Sequence, residues 1–326
     1  MKILYIYRSI EAGPSIRRVF EPIEKELRNR GVDVDSIYLP YERITIKNIY
    51  LNLKCLREKL SICHYDIVHI TGDVYYLQYF LRNYKTVLTV HDLGFYTNFA
   101  KSFRTQMLRL LWIRPISKAT FVTFVSKKSL DEGRQFIGAY QNVKVIHNPY
   151  DSMFKFKEKK IDVQYPILLH VGTKPNKNLS RVIDALKNFR CKLHIIGPIQ
   201  LEDLNKLQEY RFDYFSETYV SDKGLREAYE KCDIVSFPSL YEGFGLPIIE
   251  AQAIGRPVVT SNRSPMSEIA NDAAILVDPE DIDSIEEGFK KALTHHDTLI
   301  KKGVENSKKY NVKEIASQYM NLYKSL

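Results

Sequence analysis

The stretch Asp233–Asn262 constrains the fold more than any other part of the 326-residue chain. It begins with an apolar run typical of a buried strand, passes through a loop with two glycines, and continues into a helix expected to begin at Pro247. Proline is favoured at the first helical position, and Gly255 is a plausible end of the helix. A second apolar run at 257–260 follows. The order strand, loop, helix, strand predicts one unit of a parallel α/β sheet.

The loop of this unit predicts an anion site flanked by two carboxylates. The backbone amides of Gly245 and Leu246, together with the positive end of the helix, favour an anion such as phosphate. A carboxylate beside a phosphate is repelled unless it binds hydroxyl groups instead. We therefore expect Glu250, in the first turn of the helix, to hold a ribose diol and Glu242 to face a second sugar. The alternative is a buried βαβ unit in which Glu250 only favours the helix dipole.

The same residues resemble the donor-site signature of retaining glycosyltransferases of family 4. The resemblance lies in Glu242-Gly-Phe-Gly-Leu-Pro followed by Ile-Ile-Glu250, and it extends from Asp233 to Glu268. It implies the GT-B fold, an α/β class in which two Rossmann-like, doubly wound parallel-sheet domains face a cleft. The catalytic residues that it implies are Glu242 and His91. The donor-binding residues that it implies are Gly172, Lys177, Val220, Gly243, Phe244, Gly245, Leu246 and Glu250.

Alternating strand and helix patterns extend over the whole chain and predict two domains. His147-Asn148-Pro149 ends the first half, and the lysine-rich segment 151–160 is typical of a linker. We predict an acceptor-side domain over 1–150 and a donor-binding domain over 151–307. The resemblance implies that a C-terminal helix of about 308–326 packs back on the first domain.

His91 directly follows a predicted strand in the first half, at the sheet edge where ligands of such folds bind. A histidine there could equally be a hydrogen-bonded structural residue. The segment Thr89–Leu93 resembles the family segment whose histidine contacts the donor sugar, which favours a substrate contact for His91. Asp92 would orient it or cap the next segment.

Two loops depart from the family pattern. After the predicted strand 167–171, a glycine turn and a later lysine suggest that Lys177 contacts a diphosphate, with Lys174 in reserve. Relatives carry an arginine beside the glycine, whereas position 173 is threonine and the loop is one residue short. In the first domain, Gly13-Pro14 stands where many relatives have two glycines.

The net charge of +9 lies entirely in the first half. Residues 1–150 hold 23 Lys+Arg and 13 Asp+Glu, or +10, and the rest holds 25 and 26, or −1. Such a basic half suits nucleic acid, an anionic membrane surface or a phosphorylated substrate. Because no nucleic-acid motif is recognisable, we expect no nucleic-acid partner. We assign Gly13, Arg17, Arg18 and Trp112 to the acceptor or membrane side.

Residues 98–114 predict a helix with two different faces. Plotted at 100° per residue, the core-facing arc contains Phe99, Phe103, Met107, Leu110 and Leu111. Leu108 and Trp112 fall on the opposite side, with Lys101 and near Arg104 and Arg109. Apolar groups among basic ones are typical of a membrane-interface helix. The alternative is that Leu108 and Trp112 pack against a neighbouring helix.

The resemblance implies transfer of a hexosyl group from a UDP- or GDP-linked sugar to a glycan or polyprenyl-diphosphate-linked acceptor, with retention. We expect no cofactor besides the donor and no metal, because no Asp-x-Asp loop or His and Cys cluster is present in the sequence. A nucleotide-sugar epimerase of the same fold, or a non-catalytic nucleotide- or nucleic-acid-binding protein, are the alternatives. Hydrolysis fits less well, since a helix terminus between two glutamates suits a diphosphate better than an oxocarbenium ion.

The compartment is predicted from the cysteines and the apolar runs. Four scattered cysteines favour buried thiols in a reducing environment. The N-terminal residues do not form a signal peptide, and no apolar run reaches the length of a membrane span. We therefore expect a cytoplasmic protein, peripheral at the inner face of the plasma membrane. The oligomeric state is left open.

Overall fold

A computed structural model describes residues 1–13, 15–93, 109–138 and 140–326, with residues 109 and 110 described by their backbone alone. The chain divides into two compact units. The first unit comprises Met1–Pro149 and Val312–Leu326, and the second comprises Tyr150–Asn311. Each unit contains a six-stranded sheet in which neighbouring strands are parallel.

The strands are short and mostly buried. They are β1 (Lys2–Tyr7), β2 (Asp33–Tyr38), β3 (Ile67–Ile70), β4 (Lys85–Val90), β5 (Phe121–Phe124), β6 (Val143–Val145), β7 (Ile167–Val171), β8 (Lys192–Ile196), β9 (Tyr214–Glu217), β10 (Ile234–Phe237), β11 (Val258–Ser261) and β12 (Ile275–Val277). The central strands are continuous apolar or buried runs because helices cover both faces of a parallel sheet, whereas the edge strands β2, β6 and β9 contain polar residues and are more exposed.

The α-helices of the described residues connect these strands or close the units. They are α1 (Ser15–Asn29), α2 (Ile46–Ile62), α3 (Lys127–Ile137), α4 (Leu179–Leu186), α5 (Leu201–Glu209), α6 (Asp222–Lys231), α7 (Leu246–Ile254), α8 (Met266–Ala270), α9 (Ile282–Thr294), α10 (His296–Ser307) and α11 (Val312–Ser325). Within the described residues, no helix combines the length and the apolar character needed to cross a bilayer.

The strand orders place a topological switch point in each sheet. The first sheet has the order β2-β1-β3-β4-β5-β6, and the second has β12-β11-β10-β7-β8-β9. The order in which strands are added to the sheet therefore reverses between β1 and β3 in the first unit and between β7 and β10 in the second. Ligands of doubly wound sheets bind beyond the carboxyl ends of the strands at such points. The predicted α/β class with two Rossmann-like sheets is confirmed.

The C-terminal helix α11 lies in the first unit and is held by buried hydroxyl groups. The hydroxyl of Tyr323 is hydrogen-bonded at 2.6 Å both with Nδ1 of His69 on β3 and with the hydroxyl of Tyr5 on β1. Nε2 of His69 is 2.8 Å from Oγ1 of Thr89 on β4. Burial lowers the pKa of His69 to about 3, so the ring is neutral. This connected network fixes α11 on the sheet.

Of the two alternatives for Trp112, packing against a neighbouring element is correct, and its assignment to an exposed membrane face is wrong. Only 6% of its surface is exposed, and its indole nitrogen donates a 2.8 Å hydrogen bond to the carbonyl of Asp73. Arg109–Ile113 forms a π-helical turn, whose i→i+5 pattern departs from the 100° step behind the predicted faces. Trp112 instead packs edge-on against Tyr76. Residues 98–108 of the predicted helix, including Leu108, lie outside the described residues.

Candidate active site

The loop between β10 and α7 forms the centre of the site in the second unit. α7 is nine residues long and begins at Leu246, one residue before the expected start. Gly245 has a φ of +114°, and a Cβ there would lie 3.1 Å from Ile248 Cδ1, so glycine is required at this turn. Gly255 ends the helix in the left-handed conformation, as predicted. The backbone amides of Gly245 and Leu246, at the start of α7, therefore lie beyond the carboxyl end of β10.

Lys177 and Glu242 come together across the switch point of the second sheet. Lys177 ends a 3₁₀ turn after β7, and its Nζ lies 2.6 Å from Oε1 of Glu242 in the loop after β10. The two residues are 65 positions apart in the sequence. Their side chains are 20% and 13% exposed, so the ion pair is largely shielded from water. The ammonium also lies 4.7 Å from the ring centroid of Phe237.

The loops after β7 and β10 are joined by two asparagines that the sequence reading did not select. Asn176 donates from its amide to the carbonyl of Tyr241 at 3.0 Å, and its own carbonyl accepts from the Leu240 amide at 2.8 Å. Asn178 donates to the carbonyl of Pro238 at 3.0 Å from a left-handed backbone conformation. These bonds fix the distance between Lys177 and the glutamate loop. For Asn178 a sequence signal was available, because asparagine tolerates a positive φ better than most residues do.

Gly172 and Thr173 shape the turn that delivers Lys177. Gly172 has a φ of +91°, and a Cβ there would lie 3.1 Å from Cγ of Lys177, so the lysine lies against the glycine. Thr173 is buried and donates from Oγ1 to the carbonyl of Pro198 at 2.6 Å. A small polar residue thus occupies the position where the family resemblance implies an arginine. Lys174 begins the 3₁₀ turn and is exposed.

Glu250 lies in the second turn of α7, not in the first as expected, because it is the fifth residue of the helix. Helix-dipole stabilisation falls off within the first turn, so a role limited to the dipole is a weak explanation for this glutamate. Oε2 of Glu250 accepts a 2.7 Å hydrogen bond from the hydroxyl of Tyr229 on α6. Tyr229 is fully buried, so it holds the half-buried carboxylate in one orientation. The sequence reading missed Tyr229, although a buried tyrosine hydroxyl usually requires a partner.

The other predicted donor residues have different environments. Phe244 is 4% exposed and packs edge-on against Tyr310 at 6.0 Å, so its side chain anchors the loop. Gly243 and Leu246 are half-buried on either side of this anchor. Val220 follows the edge strand β9, two strands from β7, or about 10 Å at the usual strand spacing. Val220 therefore lies apart from the ion pair.

In the first unit, His91 follows β4 and is half-buried. Its Nε2 donates a 2.8 Å hydrogen bond to the carbonyl of Thr71, beyond β3, and this bond fixes the tautomer with Nδ1 as the acceptor. Burial lowers the pKa of His91, which favours the neutral ring near pH 7. Asp92 is exposed.

Gly13 and Arg17 line a shallow, open pocket at the carboxyl ends of β1 and β2. Arg8, which the sequence reading did not select, lines the same pocket. Its guanidinium donates a 3.0 Å hydrogen bond to Ser15 Oγ and lies 3.4 Å from Asp73. Arg18 is the next residue along α1 and is not part of this lining.

Across the described residues, no group of three or more His, Cys, Asp or Glu side chains is arranged to hold a metal ion.

Two family models match the chain. Glycosyl transferases group 1 matches residues 151–310, and glycosyltransferase family 4 matches residues 16–153. Each model covers about one unit, and together they cover most of the chain.

Among curated relatives, O-antigen chain mannosyltransferase B of Escherichia coli is 35% identical over 173 residues. The match covers 48% of this chain and 45% of that protein, so the chain matches less than half the length of this relative.

Two solved structures show the same fold over the whole chain. Sucrose-phosphate synthase from Thermosynechococcus elongatus has a TM-score of 0.83 at 18% identity, covering 100% of this chain and 98% of that chain. Anabaena Alr3699/HepE, solved in complex with UDP-glucose, has a TM-score of 0.79 at 18% identity and full coverage of both chains. The two units therefore have the fold of GT-B glycosyltransferases. Since the two family models also extend from residue 16 to residue 310, the chain belongs to the group 1, family 4 glycosyltransferases.

Proposed function

We propose that this glycosyltransferase moves a hexosyl group, with retention, from a UDP- or GDP-linked sugar to a hydroxyl of a surface-glycan precursor. The observation that carries this proposal is the Lys177–Glu242 ion pair at the switch point, beside the N-terminus of α7. A cation, a carboxylate and the N-terminus of a helix in one place suit a sugar diphosphate better than any of these groups would alone.

The donor diphosphate would bind the amides that begin α7 and the ammonium of Lys177. Binding would draw the ammonium from Glu242, whose carboxylate would then face the donor sugar. Glu250, oriented by Tyr229, would accept hydrogen bonds from the ribose diol. Val220 follows β9, two strands from β7, and would lie beside the nucleobase. This separation suits a nucleotide whose base is held apart from its diphosphate.

During transfer, the bond between the anomeric carbon and the diphosphate oxygen breaks, and a bond to the acceptor oxygen forms. The acceptor hydroxyl proton passes to the departing diphosphate. Lys177 and the amides of α7 would stabilise the charge that develops on the leaving group. We propose that these groups suffice without a metal, and we expect activity to be unchanged in EDTA. From the first unit, we propose His91 as a contact of the donor sugar.

The acceptor proposal derives from a relative. O-antigen chain mannosyltransferase B is named for transferring mannose to an O-antigen chain, and it shares 35% identity over the matched 173 residues. A glycan or polyprenyl-diphosphate-linked acceptor is therefore the first class to test, with mannose as the first sugar. The basic first half of the sequence suits the phosphates of such an acceptor.

A thermal-shift panel of UDP, GDP, dTDP and ADP, each alone and with its sugars, tests donor binding. A ligand of the folded state at about a hundred times its Kd stabilises that state by roughly 2.7 kcal/mol. We expect one base to raise the Tm and its sugar conjugate to support transfer to glycan acceptors, followed by mass spectrometry. Accumulation of free epimerised sugar nucleotide would indicate an epimerase instead.

The variant Glu242→Ala tests whether the carboxylate of the ion pair is required for sugar transfer. We expect it to remain folded and to lose transfer. Glu227→Ala removes a carboxylate from the exposed face of α6 in the same unit and serves as the matched control. Full transfer by Glu242→Ala, or no stabilisation by any nucleotide, would refute the proposed function.

A further inference from the structure

Arg256 is an arginine buried inside the second unit. It directly follows Gly255, the residue that ends α7, and only 2% of its surface is exposed. Its backbone amide donates a 2.8 Å hydrogen bond to the carbonyl of Ala251, so its backbone closes the end of α7. A guanidinium stays charged inside a protein, so at this depth it requires hydrogen-bond acceptors.

Backbone carbonyls from three segments accept those hydrogen bonds. Nε donates to Tyr229 at 3.1 Å and Nη2 donates to Glu230 at 2.7 Å, both in the last turn of α6. Nη1 donates to Ile254 and Gly255 at the end of α7, at 3.2 and 3.0 Å, and to Lys157 at 2.9 Å. The carbonyl ends of two helices therefore surround one positive charge, which is the sign that helix C-termini favour. This one side chain fixes α6 against α7.

Tyr229, whose carbonyl Arg256 binds, is held at two further points. Its ring packs edge-on against Phe154, with the centroids 5.3 Å apart, and Phe154 is itself buried. Its hydroxyl donates the 2.7 Å hydrogen bond to Oε2 of Glu250 on α7. Because the backbone and the ring of Tyr229 are fixed, its hydroxyl has little freedom. The carboxylate that accepts from this hydroxyl is oriented in turn.

The segment 151–160, which the sequence predicts to be a linker, belongs to this support. It lies in the second unit and carries both Phe154 and Lys157. The backbone amide of Lys157 donates a 3.2 Å hydrogen bond to the carbonyl of Ile254. A Cβ at Gly255 would lie 2.6 Å from the ring of Phe156, so this segment packs directly on the end of α7. The support of Glu250 therefore extends beyond α6 and α7.

We propose that Arg256 and Phe154 are positioning residues for the donor nucleotide, and that they act on Glu250 through Tyr229. These roles rest on the proposed contact between Glu250 and the ribose diol, and they name what sets the orientation of its carboxylate. A carboxylate accepts strong hydrogen bonds from two neighbouring hydroxyls only when its oxygens face them. The preference of the site for ribose should therefore depend on Arg256, which follows the opposite end of α7 from the glycine loop.

Isothermal titration of the full chain with GDP and UDP, each beside its 2′,3′-dideoxy analogue, measures this preference. We expect the matching ribonucleotide to bind about tenfold more tightly than its analogue, because its diol reaches a charged acceptor. Tyr229→Phe keeps the ring and removes the hydroxyl. Arg256→Lys keeps the charge but cannot donate to both helices as a planar fork does. In each variant the preference should fall to about threefold, with the affinity for the analogue unchanged.

The double variant Arg256→Lys/Tyr229→Phe separates positioning from general support of the fold. If Arg256 acts through the hydroxyl of Tyr229, Arg256→Lys should not lower the preference further once that hydroxyl is absent. Phe154→Leu loosens the tyrosine ring without altering a buried charge, and it should lower the preference by about twofold. Phe154→Leu decides the question if Arg256→Lys does not fold.

Leu207→Ala is the matched control for lost stability. Leu207 is buried on α5, and its truncation should lower the Tm without altering the contact between α6 and α7. We expect this variant to keep the full preference for the ribonucleotide. An equal loss of preference in Leu207→Ala would overturn the positioning roles. An unchanged or increased preference in Tyr229→Phe would also overturn them.

Glu250→Ala separates the positioning roles from the proposed function, and it should abolish the preference for ribose. If Glu250→Ala keeps the preference, the proposed ribose contact is refuted and the positioning roles fall with it. If Glu250→Ala abolishes the preference but Arg256→Lys and Phe154→Leu keep it in full, only the positioning roles are wrong.

Discussion

The Lys177–Glu242 ion pair makes a quantitative prediction about nucleotide affinity. If Lys177 binds the donor diphosphate, the nucleotide must compete with Glu242 for the ammonium. Replacing Glu242 with glutamine removes that competing charge, so the affinity for a nucleoside diphosphate should rise. A hydrogen bond to a charged group is worth roughly 1.5–3 kcal/mol when shielded, and an exposed ion pair about 0–1 kcal/mol. Since the two side chains are 20% and 13% exposed, about 1 kcal/mol is a reasonable value.

One kilocalorie per mole corresponds to an affinity change of about fivefold. We therefore expect Glu242→Gln to bind the matching nucleoside diphosphate about fivefold more tightly, although it transfers sugar poorly. Lys177→Ala should bind it roughly 30-fold more weakly, because a charged contact of about 2 kcal/mol is lost. Isothermal titration with the nucleoside diphosphate, without sugar, measures both changes.

The double variant distinguishes this explanation from a general effect of charge. Without Lys177 there is no ammonium to release, so Glu242→Gln should add little to Lys177→Ala. Lys174→Ala is the matched control, since it removes an exposed lysine from the same turn. Weaker binding by Glu242→Gln would refute the competition. So would a fivefold gain that persists in the Lys177→Ala background.

The remaining predictions concern the two other site residues and the buried histidines. Glu250→Ala should raise KM for the donor by about tenfold or more with a smaller change in kcat, and a kcat effect alone in donor titrations would contradict a ribose contact. His91→Ala should lower kcat more than KM, and unchanged initial rates would remove His91 from the site. Burial lowers the pKa values of His69 and His170 to about 3, so both remain neutral when folded while the unfolded chain takes up protons below about pH 6.5. Each of these histidines should therefore lower the free energy of unfolding by roughly 1.4 kcal/mol for every unit that the pH falls between about pH 6 and pH 4. Urea unfolding of His170→Gln should show a smaller fall in this free energy than urea unfolding of the wild type.

The glycine loop between β10 and α7 was predictable because its signals are local. An apolar run, two glycines, a proline and a further glycine occur in the order that a strand, a turn and a helix require. The structure shifts the start of the helix by one residue, to Leu246. That shift moves Glu250 out of the first turn and weakens the explanation based on the helix dipole alone.

The partners within the site were not predictable, because they depend on strand order. Lys177 meets Glu242 only because β7 lies next to β10 in the sheet, although β8 and β9 separate the two strands in the sequence. Tyr229 reaches Glu250 from a different helix. Apolar periodicity marks which face of an element is buried, but it does not specify which buried groups touch across elements.

Trp112 shows why the helical-wheel pattern did not place its side chain correctly. The indole is 6% exposed, although the pattern put it on a face with basic residues. The wheel plot failed at Trp112 because the turn there is π-helical, and because Asp73 offers a carbonyl to the indole nitrogen. Neither condition can be read from residue spacing alone.

Thr173 explains why the Lys177–Glu242 pair carries so much of the site. A Cβ at Gly197 would lie 2.9 Å from Thr173 Oγ1, so the threonine fits closely against the next strand end and donates to Pro198. An arginine at 173 could not keep this buried place. In the proposed donor site, the diphosphate charge would then be met chiefly by Lys177. A largely buried ammonium without a partner would be costly, and Glu242 stabilises that of Lys177. Thr173 and the Lys177–Glu242 ion pair thus belong to the same proposed diphosphate site.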